Sequence, residues 1–134
     1  MKRIALLTLV PALLAACAPV DAVRKESSLT WATVTIASSP AALIRSAQER
    51  TRRCGFLVGS VTMDGSYFPD TADQALDLTI HMPGGGAVGF GRLRMAPDGT
   101  STAVRIGTPD TSFARDVGAR VGRVLADPSL ACDA

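Results

Sequence analysis

Three cysteines, one histidine and a knot of aspartates are the groups in this 134-residue chain whose types could do chemistry. Thiols and imidazoles ligate metals or act as nucleophile and base, but only at set spacings. Cys17, Cys54 and Cys132 include no Cys-x-x-Cys pair, so their spacing carries no motif that points to a dithiol redox centre or a zinc site. His81 is the single imidazole, and a hydrolytic set would have to combine it with Asp77. Ser60 lies in Val58-Gly59-Ser60-Val61, which is not a Gly-x-Ser-x-Gly elbow. Asp64, Asp70, Asp73 and Asp77 lack the order of a calcium loop and read as turn formers and solvated charge. No metal and no cofactor is expected.

Gly84-Gly85-Gly86-Ala87-Val88-Gly89 matches Gly-x-Gly-x-x-Gly after a predicted strand. Dinucleotide binding needs a helix next, because the helix N-terminus holds the pyrophosphate. Alternation continues instead through Phe90 to Met95, so the glycines read as a hairpin loop. No Lys-Ser/Thr follows them, which excludes a P-loop.

The more informative set is arginine mixed with aromatic residues. With Asp98-Gly99 as a two-residue turn, Arg92 falls opposite Arg105 and Leu93 opposite Val104. Arg92, Arg94 and Arg105 then share the outer face of a sheet, and Leu93, Met95, Val104 and Ile106 its core face. Val88 and Phe90 join the outer face by alternation, together with Trp31, Phe56, Val58 and Tyr67. Such a composition suits a binding surface. A covering loop at 69–74, or bulges at Gly59 and Gly89 that reverse side-chain directions, would remove it. Asp77 is expected near Arg92 or Arg94.

These residues need elements to hold them. Leu29 to Ala37 is β-branched and alternating, with Ala32, Val34 and Ile36 on one face. Ser39-Pro40 opens a helix that Gly55 stops, and Leu43, Ala47, Thr51 and Cys54 form its apolar stripe. Phe56 to Met63 reads as a strand. Asp64-Gly65 is a hairpin signal that would fold Ser66-Tyr67-Phe68 back and set Val61 opposite Phe68. Leu76 to Met82 alternates, with Leu76, Leu78, Ile80 and Met82 inward. Strands at 87–96 and 100–107 follow. A closing helix begins at Thr108-Pro109-Asp110, with Phe113, Val117, Val121, Val124 and Leu125 on its apolar face. Ala114, Gly118, Gly122 and Ala126 give that helix a small-residue ridge for close packing, and Pro128 ends it. The expected fold is α+β: a curved antiparallel sheet of about five strands with two helices on one face, in the order β-α-β-β-β-β-α.

Lys2 and Arg3, the apolar run from Ile4 to Leu14, and small Ala15 and Ala16 form the layout of a secretory signal peptide, too short to span a membrane. Leu14-Ala15-Ala16-Cys17 resembles the lipobox of bacterial lipoproteins. The resemblance implies a diacylglycerol on the Cys17 thiol, cleavage before Cys17 and an acylated new amino terminus, so the partner at this end is the membrane. Ala18 resembles the pattern of outer-membrane-destined members, facing the periplasm. An ordinary signal peptide cut near Ala16 or Ala22 is the other reading. The chain divides into a signal peptide at 1–16, a lipidated Cys and flexible tether at 17–28, and a single domain at 29–134.

Removing the first 16 of 134 residues leaves 118, and losing Lys2 and Arg3 leaves 12 basic against 12 acidic residues. A neutral domain has no general pull on nucleic acid. In an exported chain Cys54 and Cys132 read as a disulfide, with free thiols or a redox pair as alternatives. The element order is similar to the helix-grip-like domains of several bacterial envelope lipoproteins, including one in outer-membrane barrel assembly. The helix ending Arg52-Arg53-Cys54 with a second cysteine near the carboxyl end resembles small proteobacterial envelope lipoproteins. The functional expectation is a non-enzymatic binding or accessory module for an envelope protein or peptidoglycan partner. A small hydrolase and a structural or stress-related anchor are the alternatives.

Overall fold

Alternating β-branched residues make Thr30–Ile36 the first strand, β1, and its seven residues all pair with the fifth strand. The computed structural model describes residues 24–134; Cys17 and its lipobox lie outside them. Helix α1, Pro40–Cys54, starts where expected: the Ser39 side chain accepts from the Ala42 N–H, Pro40 opens the first turn and Gly55 caps the end. Then come β2 (Val61–Asp64), β3 (Gln74–His81), β4 (Ala87–Asp98), β5 (Ser101–Thr108) and α2 (Ser112–Ala126). The sheet is antiparallel throughout, in the order β1-β5-β4-β3-β2. Leu43 and Ala47 of α1, Val121 and Val124 of α2, and Leu93 and Val104 of the sheet share one core. This is the expected α+β fold, with both helices on one sheet face.

Five local expectations change. The closing helix, expected from Thr108-Pro109-Asp110, starts at Ser112, because Thr108 still pairs with Thr30 in the sheet and the Thr111 side chain caps the helix by accepting from the Ala114 N–H. Phe56 to Met63 is not one strand: Gly59, at φ 59°, turns the chain so that Val58 bridges Val61, and only Val61–Asp64 remains extended. Asp64-Gly65 does not nucleate a hairpin with Ser66-Tyr67-Phe68. β2 pairs with β3 instead, Val61 facing Ile80 and Asp64 facing Asp77. Pro69 would end the local hairpin after three residues, whereas β3 offers eight residues, including buried Leu76 and Leu78. The displaced loop is tied by Gln74, whose amide donates to the Phe68 and Thr71 carbonyls and accepts from the Phe68 N–H. Met82, expected inward, is 45% exposed, because β3 stops at His81 and Met82 opens the glycine turn.

The β4–β5 turn is Gly99-Thr100, with Asp98 facing Ser101, one residue later than Asp98-Gly99. Pairing therefore slips by two residues: Arg94 faces Arg105, Leu93 faces Ile106 and Met95 faces Val104. A two-residue slip preserves which face each side chain occupies, since strand side chains repeat every two residues. The small-residue ridge of α2 does pack closely. A Cβ on Gly118 would stand 3.1 Å from Thr108 Cγ2, and one on Gly122 3.3 Å from Ile106 Cδ1. The neighbours are β5 side chains rather than another backbone.

Cys54 and Cys132 are joined in a disulfide with Cα atoms 5.5 Å apart, closing a separation of 78 residues. Beside it, Arg50 is 1% exposed, the only buried charged side chain among the described residues. Its Nε donates to the Leu57 carbonyl, and its two Nη groups to those of Leu130 and Ala131. Disulfide and guanidinium together hold the carboxyl-terminal segment against α1.

Candidate binding surface

The outer face is built from residues that the antiparallel register places side by side. Trp31 faces Gly107, Thr33 faces Arg105, Arg94 faces Arg105, and Asp77 faces Arg92. Trp31 lies flat because its neighbour has no side chain: a Cβ on Gly107 would come within 2.9 Å of three ring atoms. The Arg105 guanidinium sits 4.8 Å from the Trp31 ring centroid, a cation–π arrangement. Gly107→Val is therefore expected to lift the ring and cost about 2 kcal/mol by overpacking. Trp31 is the single tryptophan, so red-shifted emission with a lower melting temperature checks this directly.

Four of the nine residues expected on this surface, Phe90, Val88, Val58 and Tyr67, stand elsewhere. Phe90 is 8% exposed and meets Phe113, at the start of α2, edge-on at 6.1 Å. The cause is a bulge: Leu78 faces Gly91 and Thr79 faces Gly89, so Phe90 has no partner and turns toward the helices. Beyond the bulge Val88 faces Ile80, which packs against the core, so Val88 also leaves the outer face. Val58 is fully buried and Tyr67 packs against the core. Trp31, Arg92, Arg94 and Arg105 remain together on the outer face.

The expected tether is not free along its whole length. Glu26–Ser28 forms a 3-10 turn that lies across the outer face. The Glu26 backbone carbonyl accepts from Trp31 Nε1 at 3.3 Å. Its carboxylate accepts from Arg94 Nε at 2.9 Å and stands 3.4 Å from Arg92 Nε. That Arg92 Nε is buried and makes no hydrogen bond. Arg24 reaches Asp77 at 3.0 Å, and Arg94 also binds Asp73 at 2.8 Å. Glu26, and secondarily Asp73, hold the Arg94 pKa above its ordinary value against the opposing effect of burial. The strap had no apolar period to signal it; the signal was Glu26, an acid five residues before Trp31.

His81 meets Asp64 rather than Asp77. Its Nε2 is 3.0 Å from Asp64 Oδ2 and 3.5 Å from Thr79 Oγ1. Thr79 hydrogen-bonds the same Asp64 oxygen and is 2% exposed. A triad needs the carboxylate and the nucleophile on opposite ring nitrogens. Here both share Nε2, so the cluster lacks the triad arrangement and ties β2 to β3. Among the described residues no cluster of three or more His, Cys, Asp or Glu could hold a metal, and no helix is long and apolar enough to cross a membrane.

No protein-family model, no curated protein and no solved structure matches the chain.

Proposed function

We propose that this is a membrane-anchored envelope lipoprotein, held through lipid on Cys17 at the outer membrane and facing the periplasm. It acts as a non-enzymatic binding or accessory module for an envelope protein or cell-wall partner. The partner presents a carboxylate to the outer sheet face, between Arg92 and Arg94, beside the Trp31–Arg105 pair. One observation carries this reading: the Glu26 carboxylate already occupies that position, with Arg94 Nε at 2.9 Å and an unsatisfied Arg92 Nε next to it. Arginine forks suit carboxylates, and aromatic and arginine side chains dominate binding hot spots. The strap is then an internal competitor, and an arriving acidic segment replaces it. These ion pairs are only partly buried, and an incoming carboxylate leaves both arginines paired, so replacing Glu26 strands no charge.

In-cell photocrosslinking from position 33 of the full-length chain tests the proposal. Thr33 is exposed and lies opposite Arg105, so a photoreactive residue there touches a partner without disturbing the core. One discrete adduct, lost with Arg92→Glu or Arg94→Glu, is expected. Glu26→Gln weakens the strap and is expected to raise the adduct yield several-fold. No adduct from folded, membrane-bound protein sinks the binding module. Failure of Cys17→Ser to release the protein from membranes sinks the anchor.

A further inference from the structure

On the side of the molecule away from the sheet face, α1 and the carboxyl-terminal segment enclose a depression of about 350 Å³. Arg45, Arg50 and Arg53 line it, with Ser46, Glu49, Pro128 and Ser129. Arg50 is the key group. Its guanidinium is buried, yet its three hydrogen-bond acceptors are backbone carbonyls and no carboxylate pairs with it. A buried charge is ordinarily matched by an opposite one. Arg53 is likewise committed only to carbonyls, those of Pro128 and Leu130, through a single nitrogen. Arg45 is exposed and makes no hydrogen bond or ion pair. The one carboxylate in the wall, Glu49, is drawn outward by its ion pair with Arg52. Asp127 accepts from Ser129 next to the depression but is not part of its wall.

The wall therefore carries three guanidiniums against one carboxylate, a net charge of +2. We propose that this depression binds a phosphomonoester. Such a group carries about −1.5 to −2 charges at neutral pH and three acceptor oxygens, which balances the wall. Guanidinium forks match phosphate oxygens, and the Ser46 hydroxyl adds a donor. The source is either a soluble phosphorylated molecule or a lipid headgroup, and both present the same dianion.

The test is an amide-resolved NMR titration of the full-length chain in zwitterionic bicelles. Glycerol 3-phosphate is the soluble probe, and bicelles doped with phosphatidic acid supply the headgroup. Saturable shifts at Ser46, Glu49 and Ser129 with glycerol 3-phosphate support a soluble ligand. The same shifts with phosphatidic acid alone support a lipid headgroup. Arg45→Glu, which breaks no contact in the fold, is expected to weaken either by about tenfold or more, equivalent to about 1.4 kcal/mol. Shifts with neither probe, shifts that chloride reproduces, or shifts that Arg45→Glu leaves unchanged overturn the proposal.

Discussion

Cys54→Ser is expected to lower stability by about 4 kcal/mol, the largest single effect in the molecule. The bridge closes 78 residues, from the end of α1 to the carboxyl-terminal segment. By chain-entropy arithmetic a loop of that length contributes about 4.5 kcal/mol, by restricting the unfolded chain. A domain of this size holds only about 5–15 kcal/mol in all. Urea unfolding monitored by Trp31 emission, with and without reductant, reads the change as a shift in midpoint. The variant should match the reduced wild type. A midpoint moved by less than the equivalent of about 1 kcal/mol would mean that the bridge constrains little.

Arg50→Met is expected to cost about 3 kcal/mol, although methionine fills much of the same space. The loss is polar. The buried Leu57 carbonyl loses its charged donor, and the partly exposed Leu130 and Ala131 carbonyls lose the two that fasten the carboxyl-terminal segment; an unsatisfied buried acceptor is expensive. Hydrogen exchange should rise first at Leu130 and its neighbours. Arg50 and the disulfide restrain the same segment, so the two losses should not add. Cys54→Ser combined with Arg50→Met is expected to fall short of the sum by about 1 kcal/mol or more. Strict additivity would mean that the two clamps act on separate parts of the fold.

Arg50 was missed in the sequence, where the buried stripe reads as Leu43, Ala47, Thr51 and Cys54. It stands seven residues after Leu43 and four before Cys54, which is helical spacing on the buried stripe. Its charge hid its position: arginine is almost never fully buried unless something receives it. What receives it lies about 80 residues away in sequence, so no local pattern could reveal it. Phe90 erred the other way. Strict alternation sent it to the outer face, and one unpaired residue opposite Leu78 and Thr79 turned it inward. The hairpin at Asp64-Gly65 failed because turn chemistry is a local preference, while β3 offers a longer apolar ladder from further along the chain.

The sequence by itself determined the element order, the caps of α1, the cysteines available to pair and the face on which Leu93, Met95, Val104 and Ile106 lie. These follow from backbone sterics and from the periods of helix and strand, which neighbouring residues set. Only the tertiary structure decided which strand β2 joins, where β4 bulges, that Glu26 seats on Arg92 and Arg94, and that Arg50 grips the carboxyl-terminal segment. Each of those choices is settled by competition among partners distant in sequence, where the winning contact is the one that buries more apolar surface or leaves fewer polar groups unpaired.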